Sequence, residues 1–499
     1  MIFNSIEYVI FLPITVLVYF LLPYKYRNCF LLIASYFFYG SWLPKYLILI
    51  IGTTLITYFV SILINKNDSI KSKKIYLALG IIINLTVLFI FKYSNFFVHN
   101  INKIFDIVNI NLNFNDNFNI LLPVGISFYV FQSIGYCIDV YRKDVECEKN
   151  FVTYALFISF FPQLVAGPIE RSKNLLPQFY EKHKFSYAKA ICGMRYILLG
   201  MFRKVVIADL LAIFVNSIYN NVYQYNGLTL IITTIMFAIQ IYCDFSGYSM
   251  IAIGSAKIFG FDLMENFKSP YLSSSISEFW NRWHISLSTW FKDYIYIPLG
   301  GNRKGFKKKL INLVIIFFVS GLWHGANWTF IIWGIIHAVY RVIEELYKYC
   351  VEPLKFKYQF LYKWQKILKI LMTFSFVCIA WIFFRANCFN DARYVIMHLF
   401  DSFNLNVVSA DFEKIVTINF FNSKILRKTL FLIILFSISH LLMVDVAQYK
   451  YKKNISELYD KLKYYRYFEY VFLPLVIMFV FAFLNSVYGQ TGQFIYFQF

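Results

Sequence analysis

Charged side chains are scarce in this chain. Of its 499 residues only 15% are Asp, Glu, Lys or Arg, whereas 59% are apolar. Soluble globular proteins have nearer a quarter of their residues charged, so the deficit predicts that lipid is the main solvent. The net charge of +21 does not indicate nucleic acid, because the Lys and Arg residues fall in short loops between apolar runs. There they set topology and contact anionic headgroups.

Paired cysteines and the motifs of soluble enzymes are also missing. The eight cysteines are scattered without C-x-x-C spacing, so neither a disulfide framework nor a metal site is predicted. The sequence has no P-loop, no dinucleotide-binding fingerprint and no H-E-x-x-H motif. No cleavable signal peptide is expected, because the first apolar run begins almost at Met1, lacks a basic segment before it and contains Pro13.

Long apolar runs recur along the whole chain, and Leu228–Cys243 is one of them. Because a spanning helix needs about 20 apolar residues, we predict about eleven true spans. Shorter runs are better explained as re-entrant or broken helices, which exist at membrane depth only when they are buried in protein or line a cavity. The residues that mark such breaks are Pro123, Gly125, Pro162, Gly167 and Pro168.

These runs predict an all-α polytopic membrane protein that also contains re-entrant or interfacial helices. No internal repeat, low-complexity segment or soluble domain is visible, so we expect one integral membrane domain over residues 1–499. Its parts are N-terminal helices (1–120), a core that carries the histidine motifs (121–345) and C-terminal helices (346–499).

Basic residues alternate between successive loops. The turn after the first run carries Lys25 and Arg27, and the loops after the third and fifth runs are also basic. The Trp42–Lys45 turn and the Asn100–Asn119 loop between them are poor in positive charge. Because basic loops stay in the cytoplasm, we expect the N-terminus outside. The last span then delivers Asn485–Phe499 to the outer face.

His324 lies in GLWHGANW, between two apolar runs. Ionisable groups in a membrane are costly and usually face a cavity or a partner. A neutral imidazole costs less than a carboxylate and accepts a proton near neutral pH, which suits a general base. Gly321 and Gly325 allow another helix or a substrate to approach closely. A histidine that only bonds two helices together is the alternative. The apolar wall that would exclude water consists of Trp323, Trp328 and Trp333.

Two further histidines are candidates. His284 lies in EFWNRWHISLS, within an aromatic and polar segment that we expect at the cytoplasmic interface. Arg282 and Lys292 would contact the phosphates of an anionic donor, while His284 orients the reacting group. The alternative is a segment that only contacts lipid headgroups. His337, in WGIIHAVY, is interpreted as a structural residue of a helix.

Asp244 is a carboxylate just after the run Leu228–Cys243. It could pair with Lys257 or with a histidine, or it could cap the next turn ahead of Gly247. We predict that its role is structural.

Four segments resemble the membrane-bound O-acyltransferase (MBOAT) family. They are FISFFPQLVAGPIER, QIYCDFSGYSMIAIGSAKIFGF, SSSISEFWNRWHISLSTWFKDYIYIPLGGNR and SGLWHGANWTFIIWGIIHAVY. The resemblance is strongest to the bacterial branch that includes the alginate O-acetylation and teichoic-acid D-alanylation membrane proteins. The opening MIFNSIEYVIFLP and the closing FIYFQF are similar to the alginate type. The resemblance covers nearly the whole chain.

The resemblance implies a ring of tilted helices around a thin floor that is pierced by a central tunnel. It implies a cytoplasmic thioester donor, which is acetyl-CoA or a carrier-bound D-alanine, and no bound cofactor. The family's catalytic histidine falls on His324, and its second functional histidine falls on His284. Asn281 stands where relatives often have Arg, which weakens the case for a phosphate contact there. The residues expected to line the tunnel or to contact the donor are Trp323, Trp328, Asn327, Arg282 and Lys292.

The resemblance further implies an O-acyltransferase in the bacterial plasma membrane that supplies acetyl groups to an exported polysaccharide. Relatives work with a separate acyltransferase of the Ser-Gly-Asn-His class. Because no such domain is fused here, we expect it as a partner. Tyr496, which we place outside, carries a hydroxyl that could accept the acyl group and present it to that partner. An aromatic anchor at the interface is the alternative.

Two other functions remain as alternatives. The first is D-alanyl transfer to teichoic acids, but the length of the chain and its FIYFQF ending favour the alginate type. The second is a transporter or flippase without acyl chemistry. That function predicts inverted repeats and carboxylates at the membrane midplane, and neither is visible.

Overall fold

The computed structural model describes residues 1–110, 112, 114–115, 122–165, 167–350, 362–419, 424–451 and 473–488. All regular secondary structure within these ranges is helical. The structure forms two compact units, each of which is described by itself. The first is Met1–Met194 with Ala252–Met264, and the second is Arg195–Ile251 with the described part of Glu265–Gln498.

Helices α1 to α9 belong to the first unit. Side chains cap several of their first turns, and at α1, for example, the Ser5 hydroxyl accepts a hydrogen bond from the Tyr8 N–H. The helices are α1 (Ile6–Leu21), α2 (Tyr24–Gly40), α3 (Leu47–Lys66), α4 (Ile70–Lys92), α5 (Ser94–Ile107), α6 (Ile126–Arg142), α7 (Phe151–Ser159), α8 (Phe161–Leu164) and α9 (Ser172–Leu175).

The remaining helices build the second unit, although α10 begins and α12 ends in the first. Two π-helical turns interrupt this part of the chain, at Phe202–Ala208 and Lys292–Tyr296. The helices are α10 (Tyr187–Met201), α11 (Asp209–Tyr219), α12 (Gly227–Phe259), α13 (Ile276–Arg282), α14 (Ile285–Phe291), α15 (Phe306–His324), α16 (Trp328–Cys350), α17 (Tyr362–Arg385), α18 (Phe389–Met397), α19 (Leu405–Asn419), α20 (Lys424–Tyr451) and α21 (Leu473–Tyr488).

The helix breaks that proline and glycine predict are present in the first unit. Helix α7 ends at Ser159, and the single turn α8 follows with Pro162 in its first turn. Gly125 has a φ of +74° just before α6, and a Cβ there would lie 2.6 Å from the Leu164 carbonyl oxygen. Glycine is therefore required at this position, because its φ is left-handed and the backbones are in contact.

Helix α12 differs from its prediction. The sequence indicated an apolar run that ends at Cys243, but the helix continues for 33 residues, from Gly227 to Phe259. Asp244 therefore lies inside the helix and caps no turn, so that part of the prediction is wrong. Gly247 supports close packing instead of a break, because a Cβ there would lie 2.7 Å from the Gly200 carbonyl oxygen.

The described residues include five helices that are long and apolar enough to cross a membrane, which agrees with a polytopic membrane protein. Two shorter apolar helices, Ile6–Leu21 and Phe151–Leu164, add to them. Our estimate of about eleven spans stays a prediction. The five are Pro44–Lys66, Ile70–Lys92, Gly227–Phe259, Trp364–Arg385 and Phe431–Tyr451.

Helices α15 and α16 pack with their backbones in contact. A Cβ on Gly321 would lie 2.5 Å from the Phe330 carbonyl oxygen, and a Cβ on Gly334 would lie 2.3 Å from the Phe317 carbonyl oxygen. No side chain fits at either crossing, so the two glycines set the distance between the helices. This close approach is the one that the glycine before His324 predicted.

Gly334→Ala should therefore destabilise the protein by about 1–3 kcal/mol, because the added methyl group must push α15 and α16 apart. The change in free energy is measured by thermal unfolding in detergent, followed by circular dichroism. Gly52→Ala is the matched control. No atom lies within 4 Å of a Cβ at Gly52 in α3, and alanine there should stabilise the helix by about 1 kcal/mol. Equal midpoints for the two variants would contradict the packing argument.

Candidate active site

His324 is the last residue of α15, and Gly325 continues the chain in an extended conformation. The imidazole is only 3% exposed. Three aromatic rings pack against it edge to face, with ring centroids 4.9 Å away for Trp323, 4.8 Å for Trp333 and 5.2 Å for Phe384. His324 thus lies at a helix end inside an aromatic cage, where the contacts exclude water.

The cage draws on three helices. Trp323 belongs to α15, Trp333 to α16, and Phe384 to α17, together with Trp381, whose ring stacks on Trp333 at 5.9 Å. Trp333 and Trp381 are completely buried. Because few polar groups surround the imidazole, charge that develops here is poorly screened and interacts strongly with any nearby dipole.

Asn327 begins α16 and so helps to place this wall. Its Oδ1 accepts a hydrogen bond from the Thr329 N–H at 3.1 Å, and its Nδ2 donates to the Asn387 carbonyl oxygen at 3.3 Å. The first contact satisfies one of the free N–H groups of the first turn. Asn327 therefore supports the wall by capping the helix that carries Trp333. Trp328, in contrast, is 54% exposed.

His284 lies in the same unit and is also buried, at 1% exposure. Its backbone is left-handed, with φ 43° and ψ 54°, as it leads into α14. The imidazole packs against Phe245 at 4.5 Å and against Trp323 at 5.9 Å. Since Trp323 contacts both histidines, it connects His284 to the cage around His324.

The neighbouring Asn266 fixes the start of α14. Its backbone oxygen accepts from the Ile285 N–H at 3.0 Å, its Oδ1 accepts from the Ser286 N–H at 3.2 Å, and its Nδ2 donates to Ser249. His284 lies outside the long apolar helices, and burial lowers the pKa of its imidazole to about 3. The ring is therefore neutral at physiological pH and acts through hydrogen bonds and not through charge.

The two cations expected at the donor differ in their surroundings. Arg282 forms an ion pair with Glu278 at 2.9 Å and stacks over Tyr449 at 4.6 Å. Lys292 is exposed. The structure thus places His284 and Trp323 beside His324, whereas Arg282, Lys292 and Trp328 lie outside the cage contacts described above. Tyr496 lies beyond the described residues. Their functional roles stay predictions.

His337 is completely buried on α16, one turn after Trp333. Its ring lies 5.0 Å from Trp333 and 5.0 Å from Trp280 of α13. The indole N–H of Trp280 donates to His337 Nδ1 at 3.3 Å. The sequence had suggested only a structural position in a helix, but the structure brings His337 to the wall of the His324 cage.

The chain is similar to a known protein family and to several known proteins. Residues 148–390 match the model of the MBOAT, membrane-bound O-acyltransferase family. The chain is 41% identical over 392 residues to a probable alginate O-acetylase AlgI of Pseudomonas putida, covering 77% of each chain. It is 36% identical over 420 residues to a peptidoglycan O-acetyltransferase of Helicobacter pylori, again over 77% of each. A teichoic acid D-alanyltransferase of Bacillus subtilis is 30% identical over 296 residues, which cover 54% of this chain and 71% of that protein.

The chain belongs to the membrane-bound O-acyltransferase family. It is therefore an enzyme that transfers an acyl group from a donor to a hydroxyl, and the family resemblance found in the sequence is confirmed. The alternative of a transporter without acyl chemistry is set aside. Among the residues that the structure describes, no group of three or more His, Cys, Asp or Glu side chains could hold a metal ion.

The second unit of this O-acyltransferase also carries a buried charge network. Lys204 lies 2.7 Å from Asp209 and 2.7 Å from Asp244, whereas Lys257 pairs with Asp262, so the option that Asp244 pairs with Lys257 is wrong. Arg203 lies 3.2 Å from Asp445. These side chains are at most 8% exposed. Burying charges is tolerable here because each cation has a carboxylate partner.

Two adjacent cations in the π-helical turn at Phe202–Ala208 reach different partners. Arg203 binds Asp445 of α20, and Lys204 binds Asp244 of α12. A wide turn changes the direction of successive side chains, and such turns are frequent at functional sites.

Sequence reasoning missed this network and two members of the cage. Arg203 and Lys204 lie within the apolar run Ile191–Asn216, and charges within such a run are the signal that marks buried partners. Trp381 and Phe384 lie at the end of an apolar run that Arg385 follows. The sequence alone offers no signal that Phe384 contacts His324 or that Trp381 stacks on Trp333.

Asp445→Asn should destabilise the protein by about 3–5 kcal/mol, because Arg203 would stay buried without its counter-charge. Unfolding by denaturant in detergent micelles measures the loss. Asp262→Asn is the control, because Asp262 pairs with Lys257 but is 59% exposed, and such pairs contribute little. A loss of the same size in both variants would show that the buried pair has no special role.

Proposed function

We propose that the protein takes an acetyl group from acetyl-CoA in the cytoplasm and delivers it across the bacterial plasma membrane for O-acetylation of an exported polysaccharide. The observation that carries this proposal is the similarity to a probable alginate O-acetylase and to a peptidoglycan O-acetyltransferase over 77% of this chain. Both names specify acetyl transfer to a glycan.

His324 is the general base of this reaction. It accepts the proton of the acceptor hydroxyl while the hydroxyl oxygen bonds to the carbonyl carbon of the thioester. The carbon–sulfur bond then breaks, and His324 returns the proton to the departing thiolate. The rings of Trp323, Trp333 and Phe384 around the imidazole support this role, because they keep water from hydrolysing the thioester.

His284, whose ring packs against Trp323, orients the reacting group. Its neutral ring suits a hydrogen bond to donor or acceptor better than the binding of a phosphate. For the phosphates of the donor we assign Lys292, which is exposed, while Arg282 remains paired with Glu278 and supports the segment.

The donor enters from the cytoplasm and the acyl group leaves on the outer face. The alternation of basic and charge-poor loops supports this direction, with both termini outside. A separate acyltransferase of the Ser-Gly-Asn-His class then completes transfer to the polymer. Tyr496 relays the acyl group to it as a phenolic ester.

His324→Ala should lower acetyl transfer by about a thousandfold, because loss of a positioned general base costs roughly 10²–10⁴ in rate. The assay uses the purified protein in proteoliposomes, with radiolabelled acetyl-CoA and an extract of the same cells that supplies the partner acyltransferase and the polysaccharide. His398→Ala is the matched control, since that histidine is partly exposed and stacks on Tyr394. Full activity in a folded His324→Ala protein would refute the assignment.

D-alanyl transfer to teichoic acid is the second candidate. It rests on 30% identity over 54% of this chain. The same proteoliposomes distinguish the two functions, because acetyl-CoA and a D-alanyl carrier protein can be supplied separately. If the protein turns over only with the D-alanyl carrier thioester, the donor is that thioester and not acetyl-CoA.

Tyr496→Phe should abolish transfer to the polymer but leave donor binding unchanged, because phenylalanine lacks the hydroxyl that accepts the acyl group. The phenolic ester is detected by mass spectrometry of the C-terminal peptide after incubation with acetyl-CoA. Tyr451→Phe, at an exposed tyrosine at the end of α20, provides the control. Normal polymer acetylation by Tyr496→Phe would show that Tyr496 does not accept the acyl group, and the interfacial anchor would be its role.

A further inference from the structure

The hydrogen bond from Trp280 to His337 fixes the tautomer of a second buried imidazole. An indole N–H can only donate, so His337 Nδ1 must accept, at 3.3 Å. In a neutral imidazole the proton then lies on Nε2. That nitrogen has no hydrogen-bond partner among the described residues, although His337 is completely buried. His337 therefore presents an N–H donor that the protein itself does not satisfy.

Trp333 presents a second donor of the same kind. It is completely buried, and its indole N–H likewise has no partner within the described ranges. Residues four apart lie on one face of a helix, so Trp333 and His337 share a face of α16. Their rings are 5.0 Å apart, and Trp333 is also 4.8 Å from His324. Buried N–H groups normally have partners, so two without any beside a catalytic base indicate a ligand oxygen.

We propose that His337 Nε2–H and Trp333 Nε1–H bind the carbonyl oxygen of the acyl thioester. This inference rests on the proposed role of His324. As the acceptor oxygen bonds to the carbonyl carbon, the carbonyl π electrons move onto that oxygen, and the two N–H groups stabilise the negative charge. When the carbon–sulfur bond breaks, the electron pair on that oxygen re-forms the carbonyl π bond and the negative charge leaves with the thiolate. The proton of the acceptor hydroxyl travels through His324 to the thiolate, so both N–H groups keep their own protons.

The surroundings of His337 suit a donor and not a second base. Phe279 and Phe317 lie on its faces, with ring centroids 6.3 and 6.1 Å away and nearly parallel planes. Trp280 occupies the Nδ1 lone pair. His337 thus has no free lone pair with which to accept a proton, while its N–H remains available. Donors held in a dry site are worth more to an oxyanion than they would be in water.

The test compares four variants with the wild-type protein in proteoliposomes that are supplied with acetyl-CoA and the same cell extract, which provides the partner acyltransferase and the acceptor. His337→Phe removes one donor and should lower kcat about 10²–10³-fold with little change in KM. His337→Gln keeps an amide N–H and should recover part of that loss. Trp333→Phe removes the other donor, with an expected loss of about tenfold. Trp280→Phe keeps both donors but removes the hydrogen bond that holds the proton of His337 on Nε2. An intermediate loss of kcat is therefore expected.

A spectroscopic measurement separates this role from a purely structural one. The infrared carbonyl band of [1-¹³C]acetyl-CoA is recorded on His324→Ala, where no transfer competes. Binding should shift the band to lower frequency, and adding His337→Phe or Trp333→Phe should reduce that shift. His398→Gln should leave both kcat and the band unchanged. If His337→Phe does not fold, the carbonyl bands of Trp333→Phe and His337→Gln decide whether the two N–H groups bind the carbonyl oxygen.

Each outcome points to one conclusion. An unchanged carbonyl band and kcat in His337→Phe and Trp333→Phe, with active wild-type protein, would overturn this inference alone. If His337→Phe and Trp333→Phe are more stable than the wild-type protein at unchanged kcat, the two N–H groups bind only water, which would also overturn the inference. Failure of the wild-type protein to use acetyl-CoA, or full activity of His324→Ala, would overturn the proposed function instead.

Discussion

The contact between the backbones of α15 and α16 is the constraint on which the site depends. Gly321 and Gly334 leave no room for side chains at the two crossings, so the helices cannot separate or slide without losing the fit. His324 ends one helix, and Trp333 and His337 lie on the other. Their mutual distances are therefore fixed by main-chain geometry. Main-chain contacts hold a site more rigidly than side-chain packing alone.

The aromatic cage explains how a membrane enzyme can use a histidine as a base. The rings of Trp323, Trp333 and Phe384 pack against the imidazole, and a neutral imidazole is tolerated there more easily than a carboxylate. The same dryness protects a thioester from water. One set of apolar contacts thus serves both the stability of the fold and the selectivity of the reaction.

Much of this architecture was predictable from local sequence. The glycine before His324 predicted close helix packing, and Pro162 predicted a break that the structure contains. What escaped prediction depends on residues far apart in the chain. The partner of Asp244 is Lys204, forty positions earlier, and Phe384 reaches His324 from sixty positions later. Such contacts follow from how helices pack, which no periodicity within one helix reveals.

The π-helical turn at Phe202–Ala208 has a consequence for how this protein can evolve. Arg203 and Lys204 are neighbours in the chain, yet their carboxylate partners lie on different helices, α20 and α12. Deleting one residue from the turn would restore a regular α-helix and change the direction in which the side chains of the turn point. One buried cation would then face the wrong neighbour. Lineages can exchange side chains in this segment gradually, but they cannot change its length by a single codon without rebuilding both ion pairs together.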